Sequence, residues 1–271
     1  MLKVGVGLRN LGPAATVENI LTWAGTIDAV PAISDLWVTD HVAIPPDDAE
    51  GSEGRYLDPL ALLAFLAGVT SRVGLGTSVL VLPYRPMLPT AKWIATIQEL
   101  SRGRVRLGVG AGWMEAEFRA LGVARARRGR LMDDTLGFLG RCFAAPDDVV
   151  DAHGQRFFFR PRPPRPPIFI GGAPPHAFRR AVAHDAGWMP VGLAPEMLQP
   201  LAAMLNEQAS AAGLGRREIA AMTSLPLSEP SRTKDLLAAY ATAGATRVIH
   251  TERYATGDDL RRIVDRIAGL D

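Results

Sequence analysis

The stretch WVTDHVAIPP carries an apolar run, through Trp37 and Val38, into an adjacent Asp40 and His41. Strand interiors exclude paired ionisable groups unless a partner or a ligand satisfies them. The pair therefore either caps a loop or faces a ligand. An imidazole titrates near neutrality and can give or take a proton, while Asp40 can accept from a nearby donor or bind a ligand. The competing reading is an Asp-His turn bonded to its own backbone.

Glycines mark two further places. RVRLGVGAGWM spaces Gly108, Gly110 and Gly112 as G-x-G-x-G, which is not the G-x-G-x-x-G of dinucleotide sites. Gly108 reads as packing relief in a crowded interior, and Gly112 as a point where a flat ligand approaches the backbone. In IFIGGAPPHAF, Gly171 and Gly172 end a strand just ahead of a helix. Backbone N–H groups at Gly172 and Ala173 can then point at an anion such as a phosphate; a plain tight turn is the alternative. Arg125, Arg127, Arg128 and Arg130 form a basic run that is either a solvated face or a contact for a polyanionic tail. His153, His176 and His184 lack metal-ligand spacing, so no metal is expected. Cys142 is alone and reads as a small buried helix residue, which allows no intramolecular disulfide and suits a reducing interior.

The elements that must position these residues recur in a regular order. Strand candidates KVGVGL, DLWVT, RVGLGTSVLVL, RVRLGVG, PIFIGG, GWMPVG, IAAMTSLPL and TRVIHT are each followed by a helical pattern. Thr16 is a candidate N-cap for the first helix; Asp58 at N-cap with Pro59 at N1 opens the second. The rhythm breaks at about 145–166, where a hairpin-like alternation around His153-Gly154 runs into a proline-rich segment. Eight strand-helix units in 271 residues match a (β/α)8 TIM barrel of ~250 residues, read here as one domain over 1–271 with that excursion. Active sites of such barrels lie at the C-terminal strand ends. Those ends carry Arg9 and Asn10, Asp40 and His41, Ser78 and Val79, Ala111, Gly112 and Trp113, Gly171 to Ala173, and His250. His250 is taken as a substrate contact, with a satisfied rim histidine as the equal alternative.

Composition limits the partners. Apolar residues make up 48% and charged residues 21%, as in globular chains with a large core. The net charge of +2, from 30 basic and 28 acidic residues, provides no overall field for nucleic acid or anionic lipid. The N-terminus lacks a signal-peptide pattern, and no stretch reaches the ~18 apolar residues of a membrane span. A cytoplasmic protein is expected.

Three blocks, LWVTDHVAIP, GLGTSVLVLPYRPMLPTAKWIATIQELSRGRVRLGVGAGWMEAEFRALG and RPPIFIGGAPPHAFRRAVAHDAGWMP, resemble the luciferase-like monooxygenase superfamily. Within it they are most similar to the branch that uses the deazaflavin coenzyme F-420. The resemblance covers most of residues 35 to 190. It implies a bacterial-luciferase-like barrel binding a flavin or deazaflavin at its C-terminal mouth. Asp40 and His41 would lie by the ring system, with His41 handling a proton. A non-proline cis peptide at Ser78-Val79 would form a bulge against the ring face. Ala111, Gly112 and Trp113 would line the cofactor, and Gly171, Gly172 and Ala173 would receive its phosphate.

Related sugar-phosphate dehydrogenases carry a carboxylate where Trp113 stands, which disfavours that activity. Trp113, with Trp37 and Trp188, suggests an apolar substrate pocket, although Trp37 also suits a core role. The leading expectation is an F-420-dependent oxidoreductase that moves a hydride to or from a small, apolar organic substrate. Second is an FMN-dependent monooxygenase supplied by a partner reductase; third is a non-catalytic flavin- or deazaflavin-binding protein. Relatives are commonly dimeric, but the residues themselves neither support nor exclude a homodimer.

Overall fold

The computed structural model describes residues 2–270. Eight parallel strands follow one another around the barrel: β1 (Lys3–Gly7), β2 (Ile33–Val38), β3 (Gly74–Val81), β4 (Val105–Gly110), β7 (Ile168–Gly171), β8 (Gly187–Met189), β9 (Ala220–Thr223) and β10 (Arg247–His250). β10 pairs with β1, and the short β8–β9 seam is closed by parallel bridges Trp188–Ile219 and Val191–Met222. β5 (Val149–Ala152) and β6 (Gln155–Phe158) form the antiparallel hairpin expected around His153-Gly154.

The outer layer contains α1 (Val17–Asp28), α2 (Pro59–Val69), α3 (Met87–Leu100), α4 (Glu115–Ala120), α5 (Arg128–Ala144), α6 (His176–Ala183), α7 (Pro195–Ala211), α8 (Pro230–Thr242) and α9 (Gly257–Ala268). Thr16 caps α1 by accepting from the Asn19 N–H, and Asp58 caps α2 by accepting from Leu60 and Ala61, with Pro59 at N1 as expected. The main core lies between strands and helices. Trp23, Leu36, Val38, Ile94, Phe138 and Trp188 are among its buried members.

Strand alternation sends the other face inward. Asp35, Arg247 and Arg106 form an ion-paired layer near the N-terminal end of the barrel. Above it Trp37, Phe169, Met189, Ala220 and Ile249 form a closed apolar layer. Glycines make that layer possible. A Cβ on Gly76 would stand 2.2 Å from Trp37 Cε3, and one on Gly108 would stand 2.8 Å from Met189 Cε. Gly108 is thus packing relief, and Trp37 is core. With the middle filled, open space remains at the C-terminal mouth.

Candidate active site

Two buried carboxylates organise the mouth. Asp40 follows β2, and its side chain is fully enclosed. It accepts from Arg85 Nη1 at 2.6 Å and Nη2 at 2.9 Å, and from the Val81 N–H at 2.8 Å. Burial raises its carboxyl above the ordinary range, an effect that Arg85 and the Val81 N–H offset only in part. Arg85 also binds Asp58 at 2.7 Å, so one guanidinium joins the α2 cap, the β2 end and the β3 end. Asp40 borders the cavity, but its oxygens are turned into protein. Asp40 thus anchors the strand ends at the edge of the cavity.

Glu117 of α4 is the second hub, and sequence reasoning missed it. Its Oε1 accepts the Val42 and Ala43 N–H groups at 2.6 and 3.1 Å; Oε2 accepts the Tyr84 hydroxyl at 2.8 Å and meets His41 Nδ1 at 2.9 Å. Burial alone would raise the Glu117 carboxyl, but these four partners override it and hold it below the ordinary range. An ionised Glu117 accepts only, so Nδ1 carries the proton and, in the neutral ring, Nε2 is left as the basic nitrogen. The His41 side chain retains 20% exposure and borders the cavity. It can therefore accept a proton from a bound molecule and, once charged, return it. No local signal marked it, because its partners lie 33 to 76 positions away in the sequence.

The remaining residues expected to bind the cofactor surround a cavity of about 640 Å³. Ser78, Val79, Ala111, Gly112, Trp113, Gly171, Gly172 and Ala173 all line it with His41. The Ser78-Val79 peptide is cis, and the β3–β4 register shifts there. Val79 fits because Gly110 and Gly171 lack side chains: a Cβ on either would come within 2.9 Å of it. Trp113 is 67% exposed and stands edge-on to His41, with centroids 6.2 Å apart.

Gly112 has φ +78°, and a Cβ there would strike Val81 and Phe118. Its glycine character thus answers to packing and backbone conformation, and its backbone borders the cavity. Gly172 differs. At φ +110° its Cβ position faces open space, an available cradle against the cavity. Pro174 and Pro175 carry no amide hydrogen, so a backbone cradle for an anion is confined to Gly172, Ala173 and the first turn of α6.

Two expectations require correction. His250 lies on the outward face of β10, alternate to inward Ile249, and is buried. Its Nδ1 accepts from the Leu225 N–H at 3.0 Å and Nε2 meets Glu252 at 3.2 Å; it is a satisfied histidine, not a cavity residue. Trp188 likewise faces the helices, packs edge-on against Phe178, and donates from Nε1 to the Gly172 carbonyl at 2.8 Å. It positions the turn and forms no part of a substrate pocket.

The basic run divides into separate roles. Arg125 binds the Trp113 carbonyl, Arg130 pairs with Asp134 at the surface, and Arg128 lines the cavity without an ion pair among the described residues. Arg180 also borders the cavity but is committed to Asp133 at 2.6 Å. Burial pushes the Cys142 thiol up to about 11, as suits an inert core residue.

The sequence profile described as Luciferase-like monooxygenase matches residues 8–263. The chain belongs to this family. As a luciferase-like enzyme it falls among flavin- and deazaflavin-dependent oxidoreductases and monooxygenases. A relative from Mycobacterium tuberculosis strain H37Rv, the uncharacterized protein Rv0953c, is 28% identical over 270 residues, spanning 96% of this chain and 94% of its own. The oxygenating constituent of 3,6-diketocamphane monooxygenase from Pseudomonas putida, solved with FMN, is similar in fold with TM-score 0.79 and 13% identity, covering 98% of this luciferase-like chain and 96% of its own. An F-420-dependent secondary alcohol dehydrogenase, solved with an F-420-acetone adduct, has TM-score 0.75 and 14% identity, with 98% of each chain covered.

Proposed function

We propose that this luciferase-like enzyme is a deazaflavin (F-420)-dependent oxidoreductase acting on a small, largely apolar organic substrate. The observation that carries the reading is the Glu117–His41 clamp, which presents a basic nitrogen to the cavity at the cis Ser78-Val79 bulge. The cavity fits the group: about 640 Å³ lies within the ~300–1,000 Å³ typical of cofactor-sized ligands, and Gly172 leaves an open cradle. Arg128, which lines the cavity without an ion pair among the described residues, supports a cofactor whose phosphate is followed by an acidic tail.

Bound deazaflavin would supply a ring carbon able to accept or donate a hydride. The protein's part would be to hold that ring against the Ser78-Val79 bulge, with Trp113 at the rim of the cavity. His41 takes a proton from a substrate hydroxyl on oxidation, or gives one to a carbonyl oxygen on reduction, so charge balances.

An FMN-dependent monooxygenase with a partner reductase is the second reading. The fold it shares with 3,6-diketocamphane monooxygenase supports it, because a phosphate turn would serve either cofactor. Titrating the purified chain with F-420 and with FMN separates them. Selective F-420 binding is expected; selective FMN binding would move the protein to the second reading. In the loaded enzyme, His41→Ala should lower turnover ~10²-fold or more with cofactor affinity nearly kept. Equal loss of both would reduce His41 to a binding residue.

A further inference from the structure

A second chamber of about 290 Å³ opens beside the first and shares Thr39, Ser78 and Met222 with it. Leu11, Trp37 and Met222 give it an apolar border. Its charges are balanced, Arg9 and Arg253 against Glu50 and Glu252, and the Arg9 guanidinium is held by the Tyr254 and Gly51 carbonyls. Neither sign of substrate is therefore favoured by field.

One polar group of this chamber adjoins His41. Tyr56 lines the chamber, its hydroxyl makes no hydrogen bond among the described residues, and its ring lies 4.9 Å from His41, centroid to centroid. Antiparallel pairing of Tyr56 with Leu11, with the Leu57 N–H donating to the Asn10 carbonyl, fixes its backbone at that junction. His41 borders one chamber and Tyr56 the other.

We infer that the second chamber is the substrate site, and that Tyr56 donates a hydrogen bond there to the oxygen of a small, neutral alcohol or carbonyl compound with an apolar body. This rests on the flavin or deazaflavin reading above. Tyr56 sets oxygen recognition and His41 handles the proton, so the two hydroxyl- and imidazole-bearing groups act on one substrate atom. The volume lies at the lower limit for ligand pockets and restricts the substrate to a small one.

The test begins with the full chain loaded with whichever cofactor it binds, loading being read by absorbance. Calorimetric titrations then use cyclohexanol and cyclohexanone as probes, with cyclohexanecarboxylate and cyclohexylammonium as charged analogues. The neutral probes should bind, and both charged analogues should bind at least ~10-fold more weakly. Tyr56→Phe should weaken the neutral probes about 2- to 10-fold, the range for one neutral hydrogen bond, and leave cofactor affinity unchanged. Thr251→Trp, at a position lining the chamber, should abolish probe binding. Failure of the neutral probes to bind, tighter binding of a charged analogue, or an unaltered Tyr56→Phe overturns the inference. Loss of cofactor affinity in Tyr56→Phe does so too, because the chamber would then belong to the cofactor. Failure to load either cofactor overturns the underlying functional reading instead.

Discussion

Replacing Glu117 by glutamine keeps the shape of the hub and removes its charge. The carbonyl oxygen of glutamine can still accept from the Val42 and Ala43 N–H groups, which leaves its NH2 facing Tyr84 and His41. The Tyr84 hydroxyl can rotate to accept, but His41 Nδ1 accepts only if the ring changes tautomer and moves its proton to Nε2. The cavity would then meet a donor in place of a base. Hydrogen bonds to a charged acceptor contribute about 1 kcal/mol more than neutral ones, so over four partners the variant should lose roughly 2–5 kcal/mol at neutral pH.

The pH dependence has a definite sign. Glu117 is held below its ordinary 4.5 in the folded chain, so its contribution is complete above that value and disappears as pH falls through the lowered folded value. Wild type and variant should therefore converge in stability under acid conditions. Long-range proton–nitrogen NMR of the neutral imidazole reads the tautomer, and urea unfolding across pH reads the stability. Two results would refute the reasoning: a wild-type His41 already protonated at Nε2, or a variant with unchanged tautomer and a constant stability gap at every pH.

Arg85→Met should cost about 3–5 kcal/mol in urea unfolding, because it leaves the enclosed Asp40 carboxylate without its cation. An Asp40→Asn change in that background should recover part of the loss. Gly172→Val should weaken cofactor binding ~10-fold or more, since it fills the open cradle and forces a β-branched residue to φ +110°; unchanged affinity would remove the turn from the phosphate site. Gly76→Ala should lower stability by ~1–3 kcal/mol or more, from a Cβ placed 2.2 Å from Trp37, and a neutral result in thermal unfolding would show that the barrel interior yields.

Local chemistry made the scaffold legible. The Asp58-Pro59 cap, the Thr16 cap and the apolar strand runs are decided within a few residues, and the structure places elements where those signals fall. The site hubs are not local. His41 meets a carboxylate 76 positions away, and Asp40 meets an arginine 45 away. No spacing rule encodes such pairs. His250 and Trp188 failed for a different reason. Both were placed by proximity to a strand end, whereas period-two alternation puts them on the outer face and sends Thr251 and Met189 to the mouth. Inward Arg247 and Ile249 already fixed that parity.

The interior packing also determines where specificity can arise. Trp37, Phe169, Met189 and Ile249 close the barrel below the mouth, and the glycines around them leave no slack for a deeper pocket. A ligand is admitted only from the C-terminal face, over a floor that cannot be lowered without rebuilding several strands together. The walls are different in kind. Tyr56, Glu50 and Gly51 come from the segment between β2 and α2, while Glu252 and Arg253 follow β10. Loops tolerate exchange far better than a packed barrel layer. Substitutions that alter which small molecule enters should therefore concentrate at 50–56 and 251–253, while Trp37 and its facing glycines hold one floor for every variant.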